Sequence, residues 1–364
     1  MRIVQVTPRY FPNIGGVEVI AQRIGETLVE KEIETAVFSV DRSMNLAPVE
    51  SVRGVEVKRF NALVGDPLYL PEPRFVEALR KEKADIIHVH NIHTLPPAIV
   101  AMFRRPNQKM LLQPHYHRYG QSPFRQSLFQ LYKRGACGRI FSRAHLIVTN
   151  SVYENKIFRE DFPNARNVLM LPEGIDVEDA AGVKHNPVEP KRILYVGALR
   201  KYKNVDKVLE AFAYLVKLGN GDFKMVIVGD GPERVSLVNL ANSLGVGGLV
   251  EWKPQLQRKE LLSEYARASV FILLSYLESF SRVVYDALIV GVPVVVLNFG
   301  ALSHLVVDRF AEGVDSLDKE VVASAVLKST HMTYAPISSS SNVFLDWKSY
   351  ANRIVSVYEQ LCET

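Results

Sequence analysis

The chain has 364 residues, which is long enough for two domains of ordinary size. Its composition is that of a globular protein, and no apolar run approaches the roughly eighteen residues that a membrane helix needs. The only cysteines, Cys137 and Cys362, lie far apart in sequence, which argues against a disulfide framework and against a zinc–thiolate site. The chain enters a strand-like run directly, without the basic and apolar regions of a signal peptide, so we expect a cytoplasmic protein.

The first half of the chain alternates between short apolar runs and helix-like stretches. Buried parallel strands have this appearance, and the alternation is typical of βαβ units. The predicted strands are Arg2–Thr7, Ala36–Val40, Val55–Phe60, Ile86–Val89, Met110–Gln113, Leu146–Thr149 and Val168–Leu171. Helical patterns fall between several of them, for instance at Val17–Lys31 and Pro123–Ile140. The sequence therefore predicts a first Rossmann-like domain over residues 1–172.

The alternation stops after Leu171, where a polar segment with Pro187 and Pro190 predicts a linker. It then restarts, and we expect a second Rossmann-like domain over residues 191–345. The strands predicted there are Ile193–Val196, Phe223–Val228, Leu249–Trp252, Val270–Leu274 and Pro293–Leu297. A serine run at Ser338–Ser341 suggests a polar connector before an amphipathic final helix over residues 346–362. The fold class is thus α/β, with two Rossmann-like domains expected to face each other across a cleft.

The net charge of +5 is unevenly distributed, because no carboxylate occurs between Asp85 and Glu154. All the basic residues in this stretch fall within residues 104–143: Arg104, Arg105, Lys109, Arg118, Arg125, Lys133, Arg134, Arg139 and Arg143. One interpretation is a partly buried helix with a solvated basic face. The other is a surface for anionic lipid headgroups, to which each nearby Lys or Arg contributes about 1 kcal/mol. Nucleic acid is not expected as a partner, since no recognised binding motif accompanies the charge.

Gly15 and Gly16 lie between the first predicted strand and the first predicted helix, followed by Glu18. Glycines at such a turn permit positive φ and let backbone N–H groups approach a phosphate at the helix N-terminus. A glycine pair at a turn is common, so this pattern alone is weak. The position of the pair between a strand and a helix N-terminus makes it a candidate site for a phosphorylated ligand.

Several histidines lie at the ends of two predicted neighbouring strands: His88, His90, His93, His115 and His117. Catalytic zinc sites use three histidines, which makes a metal one interpretation. The surrounding stretch lacks a carboxylate that could orient or complete such a site, so we expect no metal. A histidine can also hydrogen-bond a substrate hydroxyl or a departing phosphate near neutral pH.

Three motifs follow strands of the second predicted domain. Gly197 opens a loop that contains Arg200 and Lys203, and an exposed lysine-rich loop is the alternative interpretation. Gly229 ends the Val226–Val228 run and begins the segment Gly-Asp-Gly-Pro-Glu, in which the proline suits a first helical position. Pro254 lies in the Trp-Lys-Pro-Gln segment after the next strand.

Glu278 and Asp286 are eight residues apart, between the apolar runs Val270–Leu274 and Val292–Leu297. The pattern predicts a strand, a loop with Glu278, a helix beginning near Ser281 and a further strand. Open α/β sheets bind ligands at the carboxyl ends of their strands. Two acids placed there can hold two parts of one long ligand.

These motifs, in order and spacing, resemble those of retaining glycosyltransferases with the GT-B fold, family 4 (glycosyl transferases group 1), over nearly the whole chain. The segment from Glu278 to Asp286 resembles the family's E-x7-E element, with Asp in place of the second Glu. Gly229 to Glu233 resembles V-G-D-G-P-E, and the loop from Gly197 to Lys203 resembles G-R-L followed by K. Asp85 to Asn91 resembles D-V-V-H-x-H, with His88 and His90 at the histidine positions.

The resemblance implies a hexosyltransferase of glycan biosynthesis that moves a sugar from a UDP-, GDP- or ADP-sugar to an acceptor hydroxyl without a metal. It implies catalytic roles for Glu278, Lys203 and His115. It implies donor contacts from Gly15, Gly16, Arg200, Gly229, Pro254, Ser281, Arg282, Val283 and Asp286. It places Glu18, His88 and His90 on the acceptor side, and it packs the final helix on the first domain.

Besides Asp286, the chain departs from the family pattern at three further positions. Ala198 stands where the family has an Arg that neutralises diphosphate, and Arg200 is a candidate replacement. Ser281 replaces a usual glycine, and His304 stands where a Glu is common. A GT-B epimerase or phosphorylase and a non-catalytic nucleotide-sugar-binding protein are therefore alternatives. The basic segment 104–143 further suggests a lipid-linked or glycan acceptor and peripheral attachment to the cytoplasmic membrane face.

Overall fold

The computed structural model of the chain describes residues 1–13, 15–41, 46–120, 123–219, 222–332, 336–337 and 344–363. Contacts divide it into two compact units. The first unit contains Met1–Gly174 together with Lys348–Thr364, and the second contains Ile175–Trp347. The run Ser338–Ser341, predicted to be a connector, lies outside the described residues.

The first unit contains a nine-stranded sheet in which all pairings are parallel except those of β3 and β5 with β4. Its strands are β1 (Arg2–Thr7), β2 (Glu34–Asp41), β3 (Val49–Val52), β4 (Val55–Val64), β5 (Leu70–Pro71), β6 (Ile86–His90), β7 (Lys109–Gln113), β8 (Leu146–Thr149) and β9 (Val168–Met170). They are ordered β3-β4-β2-β1-β6-β7-β8-β9, with β5 beside β4. The order reverses between β1 and β6, so loops that leave these two strands in opposite directions define a switch point there.

The helices of the first unit cover this sheet and complete its βαβ units. They are α1 (Gly16–Glu30), α2 (Pro73–Lys81), α3 (Pro96–Phe103), α4 (Pro123–Tyr132), α5 (Gly138–Arg143) and α6 (Val152–Asp161). The helix predicted over Pro123–Ile140 is helical throughout, but a π-helical turn at Lys133–Cys137 joins α4 to α5. Such turns occur as short inserts within helices and shift the faces that follow.

The second unit contains six parallel strands in the order β12-β11-β10-β13-β14-β15. They are β10 (Lys191–Val196), β11 (Phe223–Val228), β12 (Val250–Lys253), β13 (Val270–Leu273), β14 (Val294–Leu297) and β15 (Glu312–Val314). This is the Rossmann order, and its switch point lies between β10 and β13. Every residue of β13 and β14 is buried, which explains why these strands appear in the sequence as unbroken apolar runs.

The helices of the second unit are α7 (Val205–Lys217), α8 (Arg234–Ser243), α9 (Arg258–Arg267), α10 (Arg282–Val290), α11 (Ser303–Val307) and α12 (Lys319–Ser329). Helix α13 spans Trp347–Glu363 and belongs to the first unit from Lys348 onward. The segment predicted to be a linker includes Ile175 and Ala180, whose side chains are buried in the core of the second unit. Two parallel α/β units confirm the predicted fold class.

No helix among the described residues combines the length and the apolar composition that crossing a bilayer requires.

Candidate functional site

Lys203 and Glu278 form an ion pair at the switch point of the second unit. Lys203 lies in the loop after β10, and Glu278 lies in the loop after β13. Both side chains are about seven-eighths buried, at 13% and 12% exposure. Burial opposes the charge on Lys203, but Glu278 offsets it, and the pKa of Lys203 is raised above its ordinary value. A charged lysine and a carboxylate thus meet where the fold is expected to bind ligands.

Backbone contacts fix the two loops that carry this pair. Asn204 adopts a left-handed conformation with φ of 53° and donates from Nδ2 to the Leu274 carbonyl at 2.6 Å. The Tyr276 N–H donates to the Tyr202 carbonyl at 3.2 Å. Asparagine tolerates the left-handed region better than most residues, which suits it to this position. The ion pair is therefore held by ordered loops on both sides.

Residue 229 must be a glycine because the loop after β11 packs closely on the loop after β10. It has φ of 137°, and a Cβ at this position would lie 2.1 Å from the Gly197 carbonyl oxygen. The loop after β11 thus packs against the loop after β10, and a larger residue would push them apart. Gly229 therefore supports the loop that carries Lys203.

The N-terminus of α10 lies beside a buried hydroxyl group. Val284 donates the first intrahelical bond, to the Ser281 carbonyl, so the N–H groups of Ser281, Arg282 and Val283 precede that ladder. The Ser281 Oγ is buried and has no hydrogen-bond partner among the described residues, while the residue is only 5% exposed. Arg282 points elsewhere, since its Nη2 lies 3.2 Å from the Asp176 Oδ2. A helix N-terminus with an unsatisfied buried hydroxyl is suited to an anion.

Asp286 lies one turn further along α10 and contacts an arginine that no motif had indicated. The Arg258 Nη1 lies 2.7 Å from the Asp286 Oδ2, and the Arg258 Nε lies 3.4 Å from the Asp179 Oδ2. Burial raises the pKa of Asp286, and Arg258 opposes that shift. The Arg258 Nη2 has no hydrogen-bond partner among the described residues. Its position at the first turn of α9, directly after the Pro254 loop, was the only available signal in the sequence.

Arg200, Pro254 and His304 lie in the segments that follow β10, β12 and β14. Arg200 lines a groove with Asp206 and Glu233, and the lining of that groove includes neither Lys203 nor Glu278. Pro254 is exposed in the loop after β12. His304 is engaged internally: its Nδ1 faces the Ala301 carbonyl, and its Nε2 lies 3.0 Å from the Tyr285 hydroxyl.

In the first unit, the glycine pair has a steric role different from the expected one. Gly15 caps α1 with φ of −164°, so it is extended rather than left-handed. A Cβ on Gly15 would lie 2.4 Å from the Glu18 Oε2, whereas a Cβ on Gly16 would meet nothing within 4 Å. Glu18 folds back over the turn and pairs with Arg9 at 2.8 Å. Neither glycine uses the positive φ that the turn permits, and Gly15 makes room for the Glu18 carboxylate.

The histidines form two separate groups rather than one. His88, His90 and His115 lie together, with His88 and His90 fully buried and His115 8% exposed. The His88 Nδ1 lies 2.7 Å from the Tyr358 hydroxyl of α13. His93 stacks on His117 with ring centroids 3.9 Å apart. The described residues contain no group of three or more His, Cys, Asp or Glu arranged to hold a metal ion.

Carboxylates from outside the basic segment neutralise part of its charge. Arg118 pairs with Asp161 at 3.0 Å, Lys133 pairs with Asp161 at 3.1 Å, and Arg125 pairs with Asp66 at 2.7 Å. Other groups of this segment face outward. Exposed side chains in its described part include Leu131, Arg134 and Arg139. Part of the charge of this segment is thus paired with carboxylates, and its exposed side chains include both basic and apolar residues.

Comparison with known proteins assigns the chain to a class. A family model described as "Glycosyl transferases group 1" matches residues 176–328, and one described as "Glycosyltransferase Family 4" matches residues 14–179. Between them the two models span nearly the whole of both units. The chain therefore belongs to this family of glycosyltransferases, and it is a hexosyltransferase.

Individual relatives agree with this assignment. The chain is 24% identical over 315 residues to the N-acetyl-alpha-D-glucosaminyl L-malate synthase of Bacillus anthracis, covering 81% of this chain and 79% of that protein. The sucrose-phosphate synthase of Thermosynechococcus elongatus superposes with a TM-score of 0.77 at 19% identity, covering 99% of this chain and 98% of that one. Anabaena HepE, solved in complex with UDP and glucose, superposes with a TM-score of 0.73 at 16% identity, covering 98% and 99%. The predicted family and the GT-B fold are confirmed.

Proposed function

We propose that this glycosyltransferase transfers a sugar from a nucleotide diphosphate sugar to an acceptor hydroxyl with retention of the anomeric configuration. The observation that carries the proposal is the switch point of the second unit. Lys203 and Glu278 form a buried ion pair there. The loop that carries Glu278 leads into the N-terminus of α10, where the buried Ser281 hydroxyl has no hydrogen-bond partner among the described residues. Cations and helix N-termini bind phosphate, and carboxylates accept hydrogen bonds from sugar hydroxyls.

The proposed reaction breaks the bond between the anomeric carbon and the phosphate oxygen and forms a bond from that carbon to the acceptor oxygen. Lys203, Ser281 and the N–H groups of Arg282 and Val283 stabilise the negative charge that develops on the leaving diphosphate. Each preorganised donor of this kind commonly contributes about 3 to 4 kcal/mol. In the family's usual description the acceptor attacks from the same face and its proton passes to the leaving phosphate. We assign that course to this enzyme by resemblance.

The Lys203–Glu278 pair suggests how donor binding prepares the site. Without a ligand, the two buried charges neutralise each other. A diphosphate that draws the Lys203 ammonium toward itself leaves the Glu278 carboxylate to accept hydrogen bonds from the sugar. Cation and acceptor functions would therefore become available together. On this basis we propose a metal-independent reaction, in which Lys203 and the backbone N–H groups stabilise the charge of the leaving diphosphate in place of a metal ion.

Asp286 is proposed to hold the ribose diol. Arg258 contacts its Oδ2, so we assign the ribose contact to Oδ1. The exposed loop at Pro254, which directly precedes Arg258 in sequence, is proposed to lie along the nucleotide base. Gly229 acts by keeping the Lys203 loop in place. Arg200 would reach the diphosphate only by leaving its groove beside Glu233.

Residues of the first unit are proposed to serve the reacting sugar and the acceptor. Gly15 and Gly16 would present backbone N–H groups to the diphosphate, and Glu18 would accept a hydrogen bond from the acceptor. His115 would contact the transferred sugar. His88 and His90 are fully buried, so we propose that they act by supporting His115.

The acceptor is proposed to lie at the cytoplasmic face of a membrane, as a lipid-linked molecule or glycan. The exposed face with Leu131, Arg134 and Arg139 supports this, because it offers basic and apolar side chains together. A soluble acceptor is the alternative, since the Bacillus anthracis relative is named for a product containing L-malate. Binding to anionic vesicles should weaken steeply with salt and fall in the Arg134→Ala/Arg139→Ala variant. The matched control is Arg118→Ala, which removes a cation already paired with Asp161. Equal binding to neutral and anionic vesicles would favour the soluble acceptor.

Release of the nucleoside diphosphate tests the reaction itself. UDP-, GDP- and ADP-sugars would be supplied with candidate acceptors, with and without a chelator, and the anomeric configuration of the product determined by NMR. We expect release with one donor class, no effect of the chelator and an unchanged anomeric configuration. An inverted product would refute the retaining mechanism, and dependence on free phosphate without an acceptor would identify a phosphorylase.

A further inference from the structure

A continuous series of hydrogen-bonded, buried polar side chains runs through the first unit and includes His115. The Asn150 Nδ2 lies 2.9 Å from the His115 Nδ1, and the His115 Nε2 lies 3.4 Å from the His90 Nδ1. The His90 Nε2 then lies 3.1 Å from the Gln5 Oε1. The Gln5 Nε2 finally donates to the Ala21 carbonyl of α1 at 2.9 Å. Four side chains, two from strands and two from the loops that follow neighbouring strands, are thus hydrogen-bonded in series.

The hydrogen bond from Gln5 to the Ala21 carbonyl determines which atom donates in every other hydrogen bond of the series. A backbone carbonyl can only accept a hydrogen bond, so the Gln5 amide must turn its Nε2 toward Ala21 and its Oε1 toward His90. His90 must therefore carry its proton on Nε2, which leaves its Nδ1 as an acceptor. His115 must then donate from Nε2, and its Nδ1 accepts from the Asn150 amide. The reversed arrangement would place the Gln5 oxygen against the Ala21 oxygen.

Both histidines are in surroundings that keep them neutral, as this direction requires. Burial lowers the pKa of His115 to about 3 and holds the pKa of His90 well below its ordinary value. Gly25 leaves room for the Gln5 amide, since a Cβ at Gly25 would lie 3.2 Å from the Gln5 Nε2. The Asn150 Oδ1 accepts from the Gln113 Nε2, so the near end of the chain is also held.

We propose that Gln5, acting through His90, fixes His115 as the neutral tautomer protonated at Nε2, so that His115 serves its substrate as a hydrogen-bond donor and not as a base. The inference rests on the proposed contact between His115 and the transferred sugar. The bond from His115 to His90 is the longest in the chain, so the Nε2–H group is the one that a ligand oxygen can most easily draw away. Gln5 is thus a positioning residue for a group two hydrogen bonds distant.

Histidine tautomers are distinguished by the nitrogen chemical shifts of the full-length protein labelled with 15N-histidine, with His115→Gln used to assign the His115 signals. In the wild-type protein without substrate, we expect His115 to be protonated at Nε2 and unprotonated at Nδ1. A proton on Nδ1 of His115 would overturn the inference, whatever the variants do.

The isosteric variant Gln5→Glu tests the coupling. A carboxylate beside His90 favours a proton on both of its nitrogens, and the Nδ1–H of His90 would then donate to His115 and move the His115 proton to Nδ1. We expect this change of tautomer together with a roughly tenfold lower kcat and a donor KM that changes little. Gln5→Leu cannot orient His90, so it should give a mixture of the two His115 tautomers. This variant tests the same coupling if Gln5→Glu does not fold.

An unchanged His115 tautomer in both folded variants would also overturn the inference. Because the tautomer is read without substrate, this outcome is separate from failure of the proposed function. If the tautomer changed as expected but no nucleotide sugar supported transfer by the wild-type protein, the proposed function would be wrong instead.

Discussion

Replacement of Asp286 by Asn should mainly weaken donor binding. The variant keeps the size of the side chain but removes the charged acceptor that we assign to the ribose diol. A hydrogen bond to a charged group is worth about 1.5 to 3 kcal/mol, which corresponds to a rise in donor KM of roughly 10- to 150-fold. The ribose is held equally before and during the reaction, so kcat should change much less. Initial rates over a range of donor concentrations measure both constants.

The same variant removes the partner of Arg258, so stability must be followed separately. Arg258 is one-third exposed and retains Asp179 at 3.4 Å, so we expect a loss of only about 1 to 2 kcal/mol in unfolding free energy. Asp179→Asn is the matched control, because it removes a carboxylate beside Arg258 that is not assigned to the ribose. Its donor KM should stay near the wild-type value.

A double-mutant cycle with Arg258→Gln decides whether Asp286 acts directly. If Asp286 binds the ribose, Asp286→Asn should raise the donor KM in the Arg258→Gln background as well. If Arg258→Gln alone reproduced the full effect and the double variant added nothing, Asp286 would act only by holding Arg258. Loss of kcat at saturating donor in folded Asp286→Asn would place Asp286 in the chemistry and refute our assignment.

Three further predictions concern single residues. Lys203→Ala should lower kcat by roughly two to three orders of magnitude, because it removes a preorganised cation. Lys201 is exposed, and Lys201→Ala should leave kcat unchanged. Wild-type turnover in Lys203→Ala would contradict the assignment. Glu278→Gln should lower kcat with little change in donor KM, because the transferred sugar, which we assign to Glu278, changes its charge during the reaction. A pure KM effect would show that Glu278 contacts another part of the donor. Burial raises the pKa of Glu154 to about 8, so the folded state keeps a proton that the unfolded chain loses near its ordinary pKa. The unfolding free energy should therefore fall as pH rises between about 5 and 8, by roughly 1.4 kcal/mol per pH unit from this group, and Glu154→Gln should flatten that slope in denaturant titrations.

The sequence predicted the parts of the fold that depend on local pattern. Fully buried strands such as β13 and β14 appear as unbroken apolar runs, and α10 begins at Arg282, next to the start that was predicted near Ser281. The antiparallel strands β3 and β5 were missed, because strands at or beside the margin of a sheet are short and less apolar. The π-helical turn at Lys133–Cys137 was also missed, since it keeps an overall helical pattern.

The candidate site was predicted where a motif spans few residues and missed where distant residues meet. The loop position of Glu278 and the helical position of Asp286 follow from their short separation. The pairing of Lys203 with Glu278 joins residues 75 apart, and the contact between Gln5 and His90 joins residues 85 apart. Periodicity shows which face a side chain occupies but not which distant side chain it meets. Arg258 and Gln5 therefore became apparent only from the structure.

Donor binding to wild-type protein and to Lys203→Ala tests the central claim most directly. Thermal unfolding would be followed with UDP-, GDP- and ADP-sugars, with Lys201→Ala as the matched control. A ligand that binds only the folded state raises its unfolding temperature with concentration. We predict that one donor class stabilises the wild-type protein and Lys201→Ala, and that the shift is lost or greatly reduced in Lys203→Ala. Equal stabilisation of Lys203→Ala, or no stabilisation of the wild-type protein by any of these donors, would contradict the account.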